Sequence, residues 1–140
     1  MFKEWRKDTG SVTAELVMVC PILIIFFLVL IVGGNLEKTM SLVEDAARAG
    51  AQTAALQGNS YAAEIGAREA VGLDFRENPE ACVNGETVSV DLSQFRPGGW
   101  VSVTVGCEAK SFGLLFPGIS STKYLTYTAS FPISKYTEVN

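Results

Sequence analysis

Histidine is absent from this 140-residue chain. That removes the commonest general base near neutral pH, the Ser-His-Asp and Cys-His arrangements, and most zinc sites. Charge is also sparse: 19% of residues are Asp, Glu, Lys or Arg, giving a net charge of −4. Acids and bases are scattered rather than run together, which excludes the basic face that a nucleic acid requires. Asp74, Glu77, Glu80, Glu86, Asp91 and Glu108 read as solvated acids, and Glu37 and Glu44 lack metal-ligand spacing. Gly98 and Gly99 follow Pro97 in a turn, without the Lys or the helix that a phosphate-binding loop needs. No repeat or low-complexity segment is present. The chain therefore reads as no enzyme, with no catalytic, metal-binding or cofactor-binding set and no cofactor.

What the chain does have is one long apolar block. Leu16 to Val32 is seventeen residues without a charge. As a helix it reaches about 25 Å, and Ser11–Ala14 with Gly33 and Gly34 extend it enough for a hydrocarbon core of roughly 30 Å. A buried core helix keeps a polar stripe, whereas Ile22 to Val32 is apolar on every face. Lys3, Arg6 and Lys7 precede the block; Lys38 and Arg48 follow it, mixed with Glu37, Glu44 and Asp45. That bias puts the N-terminus in the cytoplasm and the downstream region outside. The chain divides into a basic leader at 1–10, a transmembrane helix at 11–34 and an extracytoplasmic domain at 35–140. The lipid bilayer is its first expected partner.

Glu15 stands at the mouth of this block, five residues after Gly10. An ionisable side chain costs roughly 2.5–3.5 kcal/mol at the centre of a membrane helix and less near its end, so it calls for a reason. Favourable interaction with the helix dipole is one account. A capping box is not, because Val12, three residues earlier, has no side-chain oxygen. Ordinary signal cleavage near Val32-Gly33-Gly34 leaves Glu15 unexplained. A lipoprotein signal needs a small residue before its cysteine, and Val19 precedes Cys20. A basic leader ending in Gly10, with Glu15 fifth after the cut and then the apolar run, resembles the processing site of type IV prepilins. Cleavage there would give Ser11 a new cationic amine one helical turn from the Glu15 carboxylate. In lipid that pairing can set the register between subunits. An uncleaved anchor and a signal peptide cut near Asn35 stay open beside it.

The stretch from Gly10 through Glu15 to Pro21, followed by Glu44-Asp45-Ala46-Ala47-Arg48-Ala49-Gly50-Ala51-Gln52-Thr53-Ala54-Ala55, is similar to the TadE-like minor pilins (pseudopilins) of the tight-adherence pilus system. The resemblance covers about residues 10 to 57. Leu16 departs from it, since the residue after the glutamate is often aromatic in that family. The resemblance implies an accessory subunit that assembles or anchors an adhesive pilus, cut by a prepilin peptidase between Gly10 and Ser11. Its partners would be other pilins or pseudopilins and the pilus assembly machinery. Glu15 would serve subunit register, and Pro21, which removes a backbone hydrogen bond, would kink the transmembrane helix. A membrane-anchored envelope binding or sensing module that never enters a filament is the alternative.

Downstream, Asn35 to Gln57 reads as a helix with an apolar seam at Leu36, Met40, Val43, Ala47, Gly50 and Ala54. Gly58-Asn59-Ser60 punctuates, with Ser60 as N-cap, and a short second helix runs from Tyr61 to Gly72. Three runs then alternate with period two: Val88, Val90, Leu92; Val101, Val103, Val105; and Leu125, Tyr127, Ala129, Phe131. Pro97-Gly98-Gly99 suggests a hairpin between the first two. Phe112 to Pro117 reads as an apolar lid over the sheet or, if exposed, a binding patch. Cys82 and Cys107 flank these strands and form a disulfide if the domain is exported; two separate buried thiols are the alternative. The expected fold is a membrane-anchored α+β protein: a long N-terminal helix, a short second helix and a small antiparallel sheet.

Overall fold

The computed structural model describes residues 5–110 and 122–136, with the backbone alone for residues 5–11, 32, 35 and 36. It contains α1 (Trp5–Ala55), α2 (Ser60–Glu77), β1 (Glu86–Asp91), β2 (Trp100–Lys110) and β3 (Thr122–Pro132). The fold is α+β. It divides into two compact units, residues 1–35 and residues 36–140. The first consists of the early part of α1. The second holds the rest of α1, α2 and the sheet. The segment Phe112 to Pro117 lies outside the described residues.

The second unit is a three-stranded antiparallel meander in the order β1-β2-β3, covered on one face by helix. Strand alternation decides which face. Val101, Val103, Val105, Cys107 and Ala109 of β2 are buried, as are Leu125 and Ala129 of β3 and Ile133 just beyond it. On the opposite face the register sets hydroxyl against hydroxyl: Ser102 opposite Ser130 and Thr104 opposite Thr128, each pair hydrogen-bonded at 2.8 Å. Gly106 completes that face. A Cβ there would collide with the Tyr124 phenol, which lies across Gly106 and meets the Thr87 hydroxyl of β1 at 2.9 Å. Glycine in a strand interior here marks a close side-chain approach.

The covering helices are built from small residues. α1 buries Val43, Ala46, Ala47, Gly50, Ala51, Ala54 and Ala55, while Met40, expected in the seam, is exposed. α2 buries Ala63, Ala67, Val71 and Phe75, an unbroken four-residue spacing that keeps one stripe on the core. Because that stripe continues past Gly72, α2 extends to Glu77 and is longer than the segment expected. Its N-cap is Asn59 rather than Ser60: the Asn59 side chain accepts from the Ala62 N–H at 2.7 Å. Arg68 ties α2 to the sheet, donating to the Val88 carbonyl at 3.0 Å and to Glu64 at 3.1 Å.

Gly50 is where three elements meet. A Cβ built there would lie 2.9 Å from Val71 Cγ2 of α2, 3.2 Å from Val103 Cγ1 of β2 and 3.3 Å from the Ala67 carbonyl oxygen. The hairpin between β1 and β2 turns through Gly98 at φ +75°, where a side chain would be strained. The Gly98 N–H then donates to the Ile133 carbonyl at 3.1 Å, and the Ile133 N–H to the Gly99 carbonyl at 2.9 Å, closing that end of the sheet.

Candidate membrane span and processing segment

In the first unit α1 carries an apolar window from Val12 to Ile31, 20 residues with mean hydropathy 2.9 and no burial inside the fold. Leu16, Ile22, Ile25, Phe26 and Phe27 are all well exposed. Such a surface, apolar on every side, is stable in hydrocarbon and costly in water. This one N-terminal apolar helix is compatible with a single-pass membrane anchor. α1 is assigned as helix straight through Pro21, whose missing N–H removes one bond of the ladder. Cys20 is free and exposed within the window.

Gly10 and Ser11 lie in the helical backbone of α1, so their peptide bond belongs to a helix rather than to an extended leader. Glu15 is exposed within the window, one turn beyond Ser11. Positions four residues apart sit on one helix face, their Cβ atoms about 5–6 Å apart. Gly10, Ser11, Glu15 and Pro21 thus follow one another on a single element, whereas Cys82 and Cys107 belong to the second unit.

Those two cysteines form a disulfide, with Cα atoms 5.4 Å apart and a sequence separation of 25. Cys82 precedes β1, and Cys107 lies opposite Glu86 in the β1–β2 register. The bridge is reinforced next door by Glu108. Its backbone carbonyl accepts from the Val83 N–H at 2.8 Å, and its carboxylate accepts from Asn84 at 2.8 Å and Thr122 at 2.6 Å. Those hydrogen bonds from Thr122 and Asn84 hold the Glu108 carboxyl below the usual carboxylate range.

Asp74 of α2 is the counterexample. Burial, then the nearby charges of Glu77 and Asp45, push its carboxyl above the usual value. A folded pKa above the unfolded one gives a contribution that is complete below the unfolded pKa. It is lost as pH rises through the folded pKa. Asp74→Asn is therefore expected to raise the urea midpoint of the full chain in detergent near neutral pH. The gain should close as pH falls below the carboxylate range; a gain that persists in acid would remove the electrostatic explanation.

Residues 10–52 match the model of the TadE-like protein family. This segment is similar to TadE-like proteins. The match begins at Gly10, takes in Ser11, Glu15 and Pro21, and ends within α1, short of α2 and the sheet. The likeness covers less than half of the chain and is confined to this N-terminal segment. No curated protein and no solved structure matches the chain.

Sequence reading did not single out Glu69 and Arg76, which share the outer side of α2, or the Thr87–Gly106–Tyr124 contact. The seven-residue spacing of opposite charges and the lone glycine within a strand were the available signals.

Proposed function

We propose that this chain is a TadE-like pseudopilin, an accessory subunit that assembles or anchors the tight-adherence pilus, and not a catalyst. The observation that carries the reading is the position of Glu15. It stands inside the mouth of the apolar window, one turn from Ser11 in the TadE-like segment. A prepilin peptidase cuts between Gly10 and Ser11 and leaves the helix on the mature chain. The new Ser11 amine and the Glu15 carboxylate then lie within reach on one helix or between neighbouring helices. In lipid an unpaired charge of either sign is costly, so their pairing holds packed pilin helices in one axial register. The N-terminus stays in the cytoplasm, and the domain from residue 36 onward lies outside, where its disulfide is stable.

The test is the intact mass and N-terminal sequence of the chain from cells with and without the peptidase. A start at Ser11 that depends on the peptidase is the expected result. An intact Met1 together with undisturbed pilus output points instead to an anchored binding or sensing module. In the processed chain, Glu15→Ala is expected to leave membrane insertion and protein level unchanged while pilus output collapses. Wild-type piliation from that variant would end the register argument.

A further inference from the structure

The side of α2 turned away from the core carries its own pattern. Tyr61, Ile65 and Leu73 are exposed at 75%, 47% and 53%. With roughly 100° of rotation per residue, Ile65, Glu69, Gly72, Leu73 and Arg76 all fall on that outward side.

Glu69 and Arg76 are opposite charges two turns apart. They sit about 10 Å from each other along the axis, so they share a face but cannot reach one another. Neither has a hydrogen-bond or ion-pair partner among the described residues, in contrast to Arg68, which is held by Glu64 and the Val88 carbonyl. Gly72 lies between them. Nothing stands within 4 Å of where its Cβ would be, so packing inside the chain does not require a glycine, as it does at Gly50. A glycine inside a helix is otherwise unfavourable relative to alanine. An open cleft of about 460 Å³ begins at Gly72, between α2 and the start of β1, with Arg76 and Glu86 on its walls.

We propose that this face docks against the same face of a second copy of the chain, α2 against α2, antiparallel about a two-fold axis level with residues 72 and 73. Glu69 and Arg76 are equidistant from that level. The axis therefore brings Glu69 of each copy opposite Arg76 of the other and forms two identical ion pairs from one self-complementary patch. Leu73 meets Leu73, and Gly72 meets Gly72, where the missing side chains let the two backbones approach. The charge pattern selects this occupant: a parallel arrangement would set Glu69 against Glu69 and Arg76 against Arg76.

One helix seam is small beside the roughly 1,200–2,000 Å² of a stable interface, so the pairing needs copies confined to a common bilayer. It rests on the membrane-anchored part of the functional reading. It does not require cleavage after Gly10 or entry into a pilus, and so the two proposals fail separately.

The test is site-specific photo-crosslinking of the full chain in membranes of the expressing cells. A photoreactive amino acid replaces Leu73 or, as a control on the outer sheet face, Thr104. The expected result is an adduct of twice the chain mass from position 73 and not from 104. Its yield should fall about tenfold in Glu69→Arg or in Arg76→Glu, since like charges face each other, and return when both are combined. Both residues are exposed, and recovery in the combined variant separates lost pairing from lost folding. No adduct from position 73, an adduct of another mass, or a combined variant no better than either single change would overturn the proposal.

Discussion

Cys107→Ala is expected to lower the stability of the sheet domain by about 3–5 kcal/mol. The closed loop spans a sequence separation of 25. For a loop of that length, constraint of the unfolded chain alone amounts to about 3.5 kcal/mol in the chain-entropy model. The substitution also removes a side chain that is 1% exposed in the core and leaves the Cys82 thiol without its partner. The rest of the core has little to offset this, because much of its helical half is alanine. Each alanine buries far less apolar area than a valine or leucine. The Glu108 side-chain hydrogen bonds hold the same end of the sheet, but their groups are solvent-accessible and exchange readily for bonds to water, so they offset little of the loss. Urea unfolding of the full chain in detergent, with and without reductant, measures the difference. If reduction of the parent shifted the midpoint no more than Asn84→Ala does, the bridge would be a minor element of the domain.

The second large effect is expected at Gly50. Replacing a mid-helix glycine by alanine ordinarily stabilises a helix by about 0.8–1.0 kcal/mol. Here the added methyl meets Val71 Cγ2 at 2.9 Å, Val103 Cγ1 at 3.2 Å and the Ala67 carbonyl oxygen at 3.3 Å. Val71 is β-branched on a helix and holds essentially one rotamer, and the carbonyl is backbone, so neither yields cheaply. Overpacking of this kind costs about 1–3 kcal/mol and exceeds the propensity gain. Gly50→Ala should therefore be mildly destabilising, and Gly50→Val, with two further methyls against the same walls, should lose about 3 kcal/mol or more. The same changes at Gly72, where a Cβ meets nothing within 4 Å, should stabilise the chain or leave it neutral in detergent. Parallel thermal melts of the four variants would measure this contrast. Equal effects at the two glycines would show that α1 and α2 move apart freely.

The elements of the fold were legible where one physical signal dominated. The period-two runs at Val88–Leu92, Val101–Val105 and Leu125–Phe131 correspond to β1, β2 and β3, because one face of this sheet is buried and the other solvated. The end of α2 was less legible. Gly72 reads as a breaker, but Phe75 continues the stripe of Ala63, Ala67 and Val71, and tertiary packing outweighed local propensity. The N-cap shifted by one because Asn59 and Ser60 are both good caps and only backbone geometry decides between them. At the candidate site, Gly10, Glu15 and the apolar window could be read from spacing alone. The meeting of α1, α2 and β2 at Gly50 could not, because it depends on how three distant segments pack.

The placement of the cysteines has a consequence for how the chain matures. Three cysteines allow three single pairings. Cys20 lies in the apolar window, while Cys82 and Cys107 both belong to the unit that follows it. A domain with only two thiols has one internal way to oxidise, so its maturation calls for an electron acceptor and not for a shuffling enzyme. The bond joins the segment before β1 to β2, the strand that pairs with both of its neighbours. That unit reaches its oxidised form with no wrong internal isomer to sort.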